Sequence, residues 1–476
     1  MTPAQHELVA RTAARSGAKA TITDPQEIAP WLTDWRGRYT GTSPAILAPA
    51  TTAEVAAIVA DARALGVSLV PQGGNTSMVG GATPPGDGSC LILSLRRMNA
   101  LRRLSPEDNE AVAEAGVILQ HLHDAALAVD RRFPLTLGAR GSATIGGLVS
   151  TNAGGTQVLR FGTMRALVAG VEAVLPDGSV HDGLAALKKD NRGYDLNQLL
   201  IGAEGTLGIV TAATLRLVPA ITARGVAWIG IDSPETALSL LRLFERETDT
   251  IESFEIIPAD SLALVFEHIA GTRPPLGGNH AWHLLVEATA SREDAEAPTA
   301  LLERLLTMAF AEELIEDAVI AASEAQAEAF WRLRHSLSEA ERASGPAAQH
   351  DISVPVAGMP RFMLDAGAAI EARYPGTRAS AFGHLGDGNV HFHVRAPAGV
   401  ARDAWYAEAA PAISAAVHDL VVAAGGSISA EHGIGQMKRD ELARLGPATR
   451  IAALRAIKLA LDPPALLNPG KLIATV

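Results

Sequence analysis

Gly383-His384-Leu385-Gly386-Asp387-Gly388-Asn389-Val390-His391-Phe392-His393 is the stretch around which the sequence is organised. Its Gly and Asn residues tolerate positive φ, so the run between His384 and His391 predicts a tight reversal between two strands. Because side chains alternate along a strand, His391 and His393 would share one face. The same reversal would fold His384 back toward His391.

The converging imidazoles predict a metal site. Further along the chain, Glu431-His432-Gly433 offers one carboxylate and one more imidazole. Two or three histidines and a carboxylate, with an open coordination position, are typical of a catalytic metal site rather than a structural one. The alternative is a glycine-rich loop with solvent-exposed histidines, and a single histidine favours neither interpretation. The whole run together with Glu-His-Gly favours the metal site.

Length and composition restrict the class of protein. The chain has 476 residues, which predicts two or three domains. Apolar residues make up 48% of it, enough for large cores, yet no apolar run has the length of a membrane span. The net charge of −12, without a basic stripe, argues against binding to nucleic acid or an anionic membrane surface.

Cysteine content and the N-terminus indicate the compartment and the redox partners. The single cysteine, Cys90, excludes disulfide bonds, cysteine-based zinc sites and protein-ligated iron–sulfur clusters. A reduced cofactor would therefore pass its electrons to a separate partner. Residues 1–19 lack the apolar core of a signal peptide and predict a simple first helix, so we expect a cytoplasmic protein.

Three glycine-rich stretches predict the site of a long anionic ligand. The first, Pro71-Gln72-Gly73-Gly74-Asn75-Thr76-Ser77, follows a predicted buried strand at Val67 to Val70. The second runs from Leu137 to Gly155, and the third comprises Lys189 to Asp195 and Ile201 to Thr211. Small residues let the backbone approach a ligand closely, and backbone N–H groups bind anionic oxygens. One such loop is as often only a tight turn, but three predict a ligand with a pyrophosphate. No G-x-G-x-x-G motif between an early strand and helix indicates the Rossmann fold.

After Pro219, strand-like runs alternate with amphipathic helices, which predicts a second domain with helices packed on a sheet. The predicted strands are Val226 to Ile231, Ser253 to Ile257, His283 to Ala288 and Ala318 to Ala321. A predicted helix near Glu324 to Ala343 carries Arg334 and Ser338 one turn apart on one face. An arginine and a hydroxyl in that arrangement could bind a carboxylate, although an exposed surface arginine is the more frequent explanation of the pattern alone.

Together these motifs resemble the FAD-dependent D-2-hydroxyacid dehydrogenases of the vanillyl-alcohol oxidase/p-cresol methylhydroxylase flavoprotein superfamily. The resemblance extends from about Pro44 to Lys471 and is strongest to the D-2-hydroxyglutarate dehydrogenases. D-lactate dehydrogenases and the flavin subunit of glycolate oxidase are near relatives. The most specific motifs are Pro71 to Gly81, Leu137 to Gly155, Lys189 to Thr211, Gly383 to His391 and Glu431 to Gly433.

The resemblance implies an α+β fold in four parts. An N-terminal helix and lead-in would occupy residues 1–42, and a two-subdomain FAD-binding domain of the p-cresol methylhydroxylase type residues 43–222. An α/β substrate domain over the flavin, with the metal site, would occupy residues 223–430. A helical C-terminal segment, residues 431–476, would return to the FAD domain.

The resemblance gives the three glycine stretches a ligand, because FAD carries one pyrophosphate. Relatives that bind FAD covalently often use a histidine in the first glycine loop. Asn75 lies in that neighbourhood here, so we expect non-covalent FAD. The residues expected to bind FAD are Pro71, Gln72, Gly73, Gly74, Asn75, Thr76, Gly81, Leu137, Gly138, Gly141, Ser142, Thr144, Ile145, Gly147, Asn152, Gly154, Gly155, Glu204, Gly205, Gly208, Ile209, Asn468 and Lys471.

The resemblance also implies a metal and a base. Relatives bind a metal, usually zinc, through residues that match His384, His391 and Glu431, and His432 matches the candidate general base. The implied reaction oxidises a D-2-hydroxyacid, with D-2-hydroxyglutarate expected first, to the 2-oxoacid and passes a hydride to FAD N5. Electrons would continue to an external acceptor such as an electron-transferring flavoprotein or a quinone. A homodimer is expected from base rates.

Four residues are implied in substrate binding. Arg334 and Ser338 match a pair that grips the substrate carboxylate, with Ser in place of Thr. Gln349 stands where the hydroxyglutarate enzymes carry Lys, and His393 where they carry Asn. Loss of the Lys removes a positive charge from a carboxylate site, so D-lactate, D-malate and glycolate are alternative substrates. His393 could replace the Asn as a donor, bind the metal, or be a packed polar residue.

Two other classes of protein compete with this interpretation. A flavin-binding electron-transfer subunit without turnover would lack the metal histidines, which this chain retains. A metal-dependent hydrolase without flavin would leave the three glycine stretches unexplained.

Overall fold

The structure is a computed structural model that describes residues 1–474 of the chain. Its residues form two compact units. The first unit comprises residues 1–155, residues 162–220 and the chain from Glu431 onward, and the second comprises residues 156–161 and 221–430. The chain therefore belongs to the second unit briefly at residues 156–161, leaves the first unit again after residue 220 and returns to it at Glu431.

Short strands alternate with helices along the chain. The strands are β1 (Thr21–Ile22), β2 (Ile46–Leu47), β3 (Ser68–Gln72), β4 (Cys90–Ser94), β5 (Leu101–Ser105), β6 (Glu110–Glu114), β7 (Arg131–Arg132), β8 (Val168–Val174), β9 (Val180–Asp182), β10 (Ile209–Arg216), β11 (Val218–Pro219), β12 (Ala223–Ile231), β13 (Ile251–Pro258), β14 (Trp282–Ala290), β15 (Asp317–Ile320), β16 (Ala347–Ser353), β17 (Arg378–His384) and β18 (Asn389–Arg395). The α-helices are α1 (Pro3–Ser16), α2 (Pro25–Ile28), α3 (Thr52–Leu65), α4 (Leu119–Leu127), α5 (Ile145–Thr151), α6 (Val158–Phe161), α7 (Met164–Leu167), α8 (Leu196–Leu200), α9 (Pro234–Glu247), α10 (Ala259–His268), α11 (Pro298–Ala311), α12 (Glu324–Ala343), α13 (Met359–Arg373), α14 (Arg402–Ala404), α15 (Ala410–Ala423), α16 (Arg439–Leu445) and α17 (Ala448–Leu461). Short 3₁₀-helices span Ala18–Ala20, Ala29–Trp31 and Val356–Gly358, and a π-helix spans Trp405–Ala409. Among residues 1–474, no helix combines the length and the apolar character needed to cross a membrane.

The first unit is built on two main sheets. One has the strand order β1-β2-β4-β3, with β2, β4 and β3 parallel, and the other is antiparallel with the order β5-β6-β10-β8-β9. Helix α3 connects β2 to β3. Thr51 caps it by accepting the N–H of Glu54 at 3.2 Å, and Gly66 ends it in the left-handed conformation. These local signals set the direction in which β3 enters the first glycine stretch.

The C-terminal segment is fixed within the first unit. Leu69 on β3 donates its N–H to Leu466 O at 2.9 Å and accepts the N–H of Asn468 at 2.8 Å. The buried Lys458 ammonium donates to Asp462 at 2.6 Å and to Thr206 O at 2.7 Å. These contacts place Asn468 beside β3, at the entrance to the first glycine stretch.

The second unit is one seven-stranded antiparallel sheet with the order β15-β12-β14-β13-β17-β18-β16. Apolar side chains of α9, α11, α13 and α15 pack on one face, and those of α10 and α12 pack on the other. The predicted reversal is confirmed, since β17 and β18 form a hairpin in which His384 pairs with Asn389. Gly388 adopts a φ of 79° in the turn, a conformation that glycine accepts without strain.

Candidate active site

The three glycine-rich stretches meet in the first unit. A Cβ atom added to Gly74 would lie 1.8 Å from the carbonyl oxygen of Ser142, in the second stretch. A Cβ atom on Gly205, in the third stretch, would lie 2.4 Å from Cγ of Pro71, in the first. Glycine is therefore required at both positions by the packing of one stretch against another.

Other residues of these stretches leave room and polar atoms for a ligand. Gly138 and Gly141 are exposed, and apart from its two chain neighbours no described residue has an atom within 4 Å of the place where a Cβ of either would be. Thr144 Oγ1 and Asn468 Oδ1 are buried and have no hydrogen-bond partner among the described residues. Buried polar atoms nearly always have partners in proteins, so atoms left without one indicate a bound group. The residues present therefore fit FAD.

Gly74→Ala is expected to lower the free energy of unfolding by about 1–3 kcal/mol, because the added methyl group overlaps the Ser142 carbonyl. Gly141→Ala is the matched control, since its methyl group meets open space, and its effect should stay within about 0.5 kcal/mol. Urea unfolding of the flavin-stripped proteins measures both. Equal stability of the two variants would contradict the packing of the first stretch against the second.

Gln72 and Asn75, two of the residues predicted to bind FAD, donate side-chain hydrogen bonds to backbone carbonyl groups of the protein. The Gln72 amide donates to Trp31 O and Ala82 O, both at 3.0 Å. The Asn75 amide donates to Thr33 O at 2.9 Å, and its backbone has a φ of 54°. These amide N–H groups hold the loop in shape through protein partners, which sequence reasoning did not foresee.

Glu204 connects the third glycine stretch to the segment that contains His432. Its carboxylate oxygens accept the N–H groups of Ile434 at 2.7 Å and Gly435 at 2.8 Å. Burial raises the pKa of Glu204, although these two N–H groups oppose the shift. A Cβ on Gly433 would lie 2.8 Å from Glu204 Oε1. Glu204 was predicted at the cofactor; in the structure its carboxylate fixes the backbone directly after His432.

The predicted metal-binding histidines lie together in the second unit. The rings of His384 on β17 and His391 on β18 have centroids 5.4 Å apart, and one ring nitrogen of each lies within 4.8 Å of the other. Burial, and then the positive charge of Arg334, lower the pKa of His391 well below its ordinary value. The neutral imidazole is the form that binds metals. The histidine pair therefore fits a divalent metal.

A buried carboxylate that was not predicted from the sequence, that of Glu255 on β13, contacts both His384 and Arg334. Its Oε1 lies 2.6 Å from His384 Nδ1, and its Oε2 accepts the Nε–H of Arg334 at 2.6 Å. Burial would raise the pKa of Glu255, but the charges of Arg334 and His384 outweigh it and lower that pKa to about 2. The signal was an acidic residue inside the otherwise apolar run Phe254 to Ile257.

Arg334 is buried, which excludes the explanation that it is an exposed surface arginine. It lies on α12, whose bounds agree with the predicted helix, and its guanidinium carbon is 5.3 Å from the ring centroid of Phe382. Ser338, one turn further along, is exposed. The described contacts therefore give Arg334 a defined place beside His384 and leave Ser338 at the solvent-facing side of the helix.

The two residues that differ from the pattern of the hydroxyglutarate enzymes, Gln349 and His393, are direct neighbours in the sheet. Gln349 on β16 pairs with His393 on β18 in the antiparallel register. Side chains directly opposite each other in such a pair contact each other. His393 Nδ1 is in contact with the buried carboxylate of Glu341 on α12. Burial would raise the pKa of Glu341, but the charge and hydrogen bond of His393 and the hydrogen bond of Ser380, acting together with the charge of Arg395, lower that pKa.

Comparison with known proteins identifies the family. Residues 222–472 match the C-terminal domain of FAD linked oxidases, and residues 43–183 match an FAD binding domain. The D-2-hydroxyglutarate dehydrogenase of Xanthomonas citri pv. viticola is 36% identical over 95% of this chain and 94% of its own length. The mitochondrial D-2-hydroxyglutarate dehydrogenase of Arabidopsis thaliana is 35% identical over 96% of this chain and 80% of its own length.

The chain belongs to the FAD-linked oxidases. The crystal structure of p-cresol methylhydroxylase with substrate bound superimposes on this FAD-linked oxidase with a TM-score of 0.74. The match covers 99% of this chain and 97% of that one at 15% identity, so it shows the fold alone. The predicted family, the α+β fold and the class of FAD-dependent oxidoreductase are confirmed.

Proposed function

We propose that this FAD-linked oxidase oxidises a D-2-hydroxyacid to the 2-oxoacid, with D-2-hydroxyglutarate as the first candidate. The observation that carries the proposal is the group formed by His384, His391 and Arg334 around the buried Glu255. It combines metal-binding imidazoles with a guanidinium that can bind a carboxylate, the two functional groups that a 2-hydroxyacid requires. The names of the relatives that match nearly the whole chain support the choice of substrate.

We assign the metal to His384, His391 and Glu431, with zinc as the first candidate. The N–H of Ala430, the last residue of the second unit, donates to Asp351 O at 3.4 Å, and Asp351 pairs with His391 across the strands. One peptide bond separates Glu431 from Ala430, and consecutive Cα atoms are about 3.8 Å apart. This chain connectivity supports Glu431 as the third ligand. A divalent metal in such a site supplies a Lewis acid for the substrate hydroxyl.

Arg334 binds the substrate carboxylate in this proposal. Glu255 engages only its Nε, so the two terminal amino groups can form a bidentate pair with a carboxylate. Burial of Arg334 strengthens that interaction, because the surroundings screen charge less than water does. The substrate is thereby oriented by its carboxylate with its 2-hydroxyl toward the two histidines.

His432 acts as the general base and accepts the proton of the substrate hydroxyl. An imidazole suits this task, since its pKa lies near the operating pH. Glu204 accepts hydrogen bonds from the backbone N–H groups of Ile434 and Gly435, which restrains the backbone that follows His432. FAD, when bound, supplies the acceptor for the hydride from C2. An electron-transferring flavoprotein or a quinone as the final acceptor, the homodimer and the cytoplasmic location stay predictions.

The substrate is tested by anaerobic visible spectra of the purified holoenzyme after addition of D-2-hydroxyglutarate, D-malate or D-lactate. We expect D-2-hydroxyglutarate to bleach the oxidised flavin band fastest, with the L-enantiomer as the matched control that leaves the band unchanged. Bleaching by D-lactate or D-malate alone would mean that Gln349 and His393 exclude the longer dicarboxylate. If none of the acids bleaches the band, the proposed function is wrong.

A further inference from the structure

We propose that Glu255 is a positioning residue that holds His384 in its metal-binding tautomer and Arg334 in its carboxylate-binding orientation. One buried carboxylate would then organise both halves of the substrate site. The inference rests on the proposed function, because it assigns a metal to His384 and a carboxylate to Arg334.

The contacts of Glu255 are short, and its side chain is 1% exposed. One oxygen faces His384 Nδ1 and the other faces Arg334 Nε, each at 2.6 Å. The three residues come from β17, β13 and α12, so they are joined only in the folded second unit. With both oxygens engaged, the carboxylate cannot rotate without breaking one of the two contacts.

The contact with His384 selects one tautomer. A carboxylate only accepts hydrogen bonds, so Nδ1 of the neutral imidazole must carry the hydrogen. The lone pair then lies on Nε2, the nitrogen that would bind a metal. Metal-binding histidines commonly donate their second ring N–H to a carboxylate, and removal of that partner lowers metal affinity about 10–100-fold.

The contact with Arg334 fixes the guanidinium plane. A hydrogen bond from Nε directs the terminal amino groups away from Glu255 and leaves their paired donors for a second carboxylate. Glu255 also neutralises the charge of Arg334 while the substrate is absent. The two carboxylate oxygens of Glu255 thus link the position of the metal ligand His384 to the position of Arg334, which binds the substrate carboxylate.

The competing explanation is an ion pair that only stabilises the fold. The pair of His393 and Glu341 offers a matched control, because it is a second buried imidazole–carboxylate contact in the same unit. His393 is outside the proposed ligand set. Loss of Glu341 should therefore affect stability without affecting metal affinity.

The experiment is calorimetric titration of zinc into the metal-free, FAD-containing enzyme, for wild type, Glu255→Gln and Glu341→Gln. In Glu255→Gln the new amide group can donate to Nδ1, which favours hydrogen on Nε2 and blocks the ligand atom. We expect Glu255→Gln to bind zinc about 10–100-fold more weakly, and Glu341→Gln to stay within about twofold of wild type.

Three outcomes would overturn the inference or its basis. Wild-type zinc affinity in Glu255→Gln, or an equal loss in Glu341→Gln, overturns the role of Glu255. Absence of zinc binding in wild type overturns the proposed metal site, which is a distinguishable failure. If Glu255→Gln does not fold, Glu255→Asp is titrated instead. It keeps the charge but withdraws the carboxylate from His384, so unchanged affinity would again overturn the inference.

Discussion

Replacement of His432 by alanine is expected to slow the reduction of FAD by the hydroxyacid about 10²–10⁴-fold, the usual contribution of a general base. Without the imidazole, the hydroxyl proton has no acceptor when the hydride leaves C2. Anaerobic stopped-flow spectra at saturating substrate measure this step directly, because the oxidised flavin band reports it without a contribution from the final electron acceptor.

Two further measurements separate a chemical role of His432 from a structural one. The FAD content and zinc affinity of His432→Ala should match those of wild type, because Glu204 holds Ile434 and Gly435 through backbone groups that the substitution leaves intact. The decline of the wild-type rate toward low pH, where a histidine base is protonated, should also disappear. A rate within tenfold of wild type would remove His432 from the role of base.

The features that sequence reasoning predicted correctly depend on residues close together in the chain. The hairpin of β17 and β18 follows from the Gly and Asn residues between His384 and His391, which accept the conformations of a tight turn. The bounds of α12 agree with the predicted helix, and its start is set locally by Ser323, whose side chain accepts the N–H of Gln326. In each case the physical cause lies within one or two turns of the backbone.

The role of Glu255 could not be predicted in this way, because His384 is 129 residues further along the chain. The two residues meet because β13 pairs with β17, through the register of Glu255 with His384 and Ile256 with Gly383. No local pattern encodes that pairing. The acidic residue in the otherwise apolar run Phe254 to Ile257 indicated a buried charge, but the sequence could not supply its partners.

The sequence likewise could not show which residues lie next to Gln349 and His393, or which groups the glycine residues approach. Gln349 and His393 were treated as separate substitutions, whereas the strand register makes them opposite neighbours. Gly74 was assigned to the ligand, and the structure shows that its lack of a side chain also admits the Ser142 carbonyl. A glycine-rich sequence indicates that the backbone approaches another group closely. Whether that group is a ligand or another loop depends on the fold.

His391→Ala is expected to lower zinc affinity by more than about 10²-fold, since loss of a direct ligand should exceed the 10–100-fold effect of an outer partner. Turnover at trace metal should fall in proportion. His391 and His393 lie two residues apart on one face of β18, so the sequence left both as candidate ligands. Calorimetry with zinc and the metal-free enzyme separates them.

His393→Asn is the matched variant, since it introduces the residue that the hydroxyglutarate enzymes carry. Nδ1 of His393 already contacts Glu341, and Gln349 lies opposite it, so we expect zinc affinity to stay within a few-fold of wild type. The effect should appear instead in the relative KM values for D-2-hydroxyglutarate and D-malate, because His393 and its neighbour Gln349 are the two residues that depart from the family pattern. Equal loss of zinc in both variants would make His393 a ligand and would remove it from substrate selection.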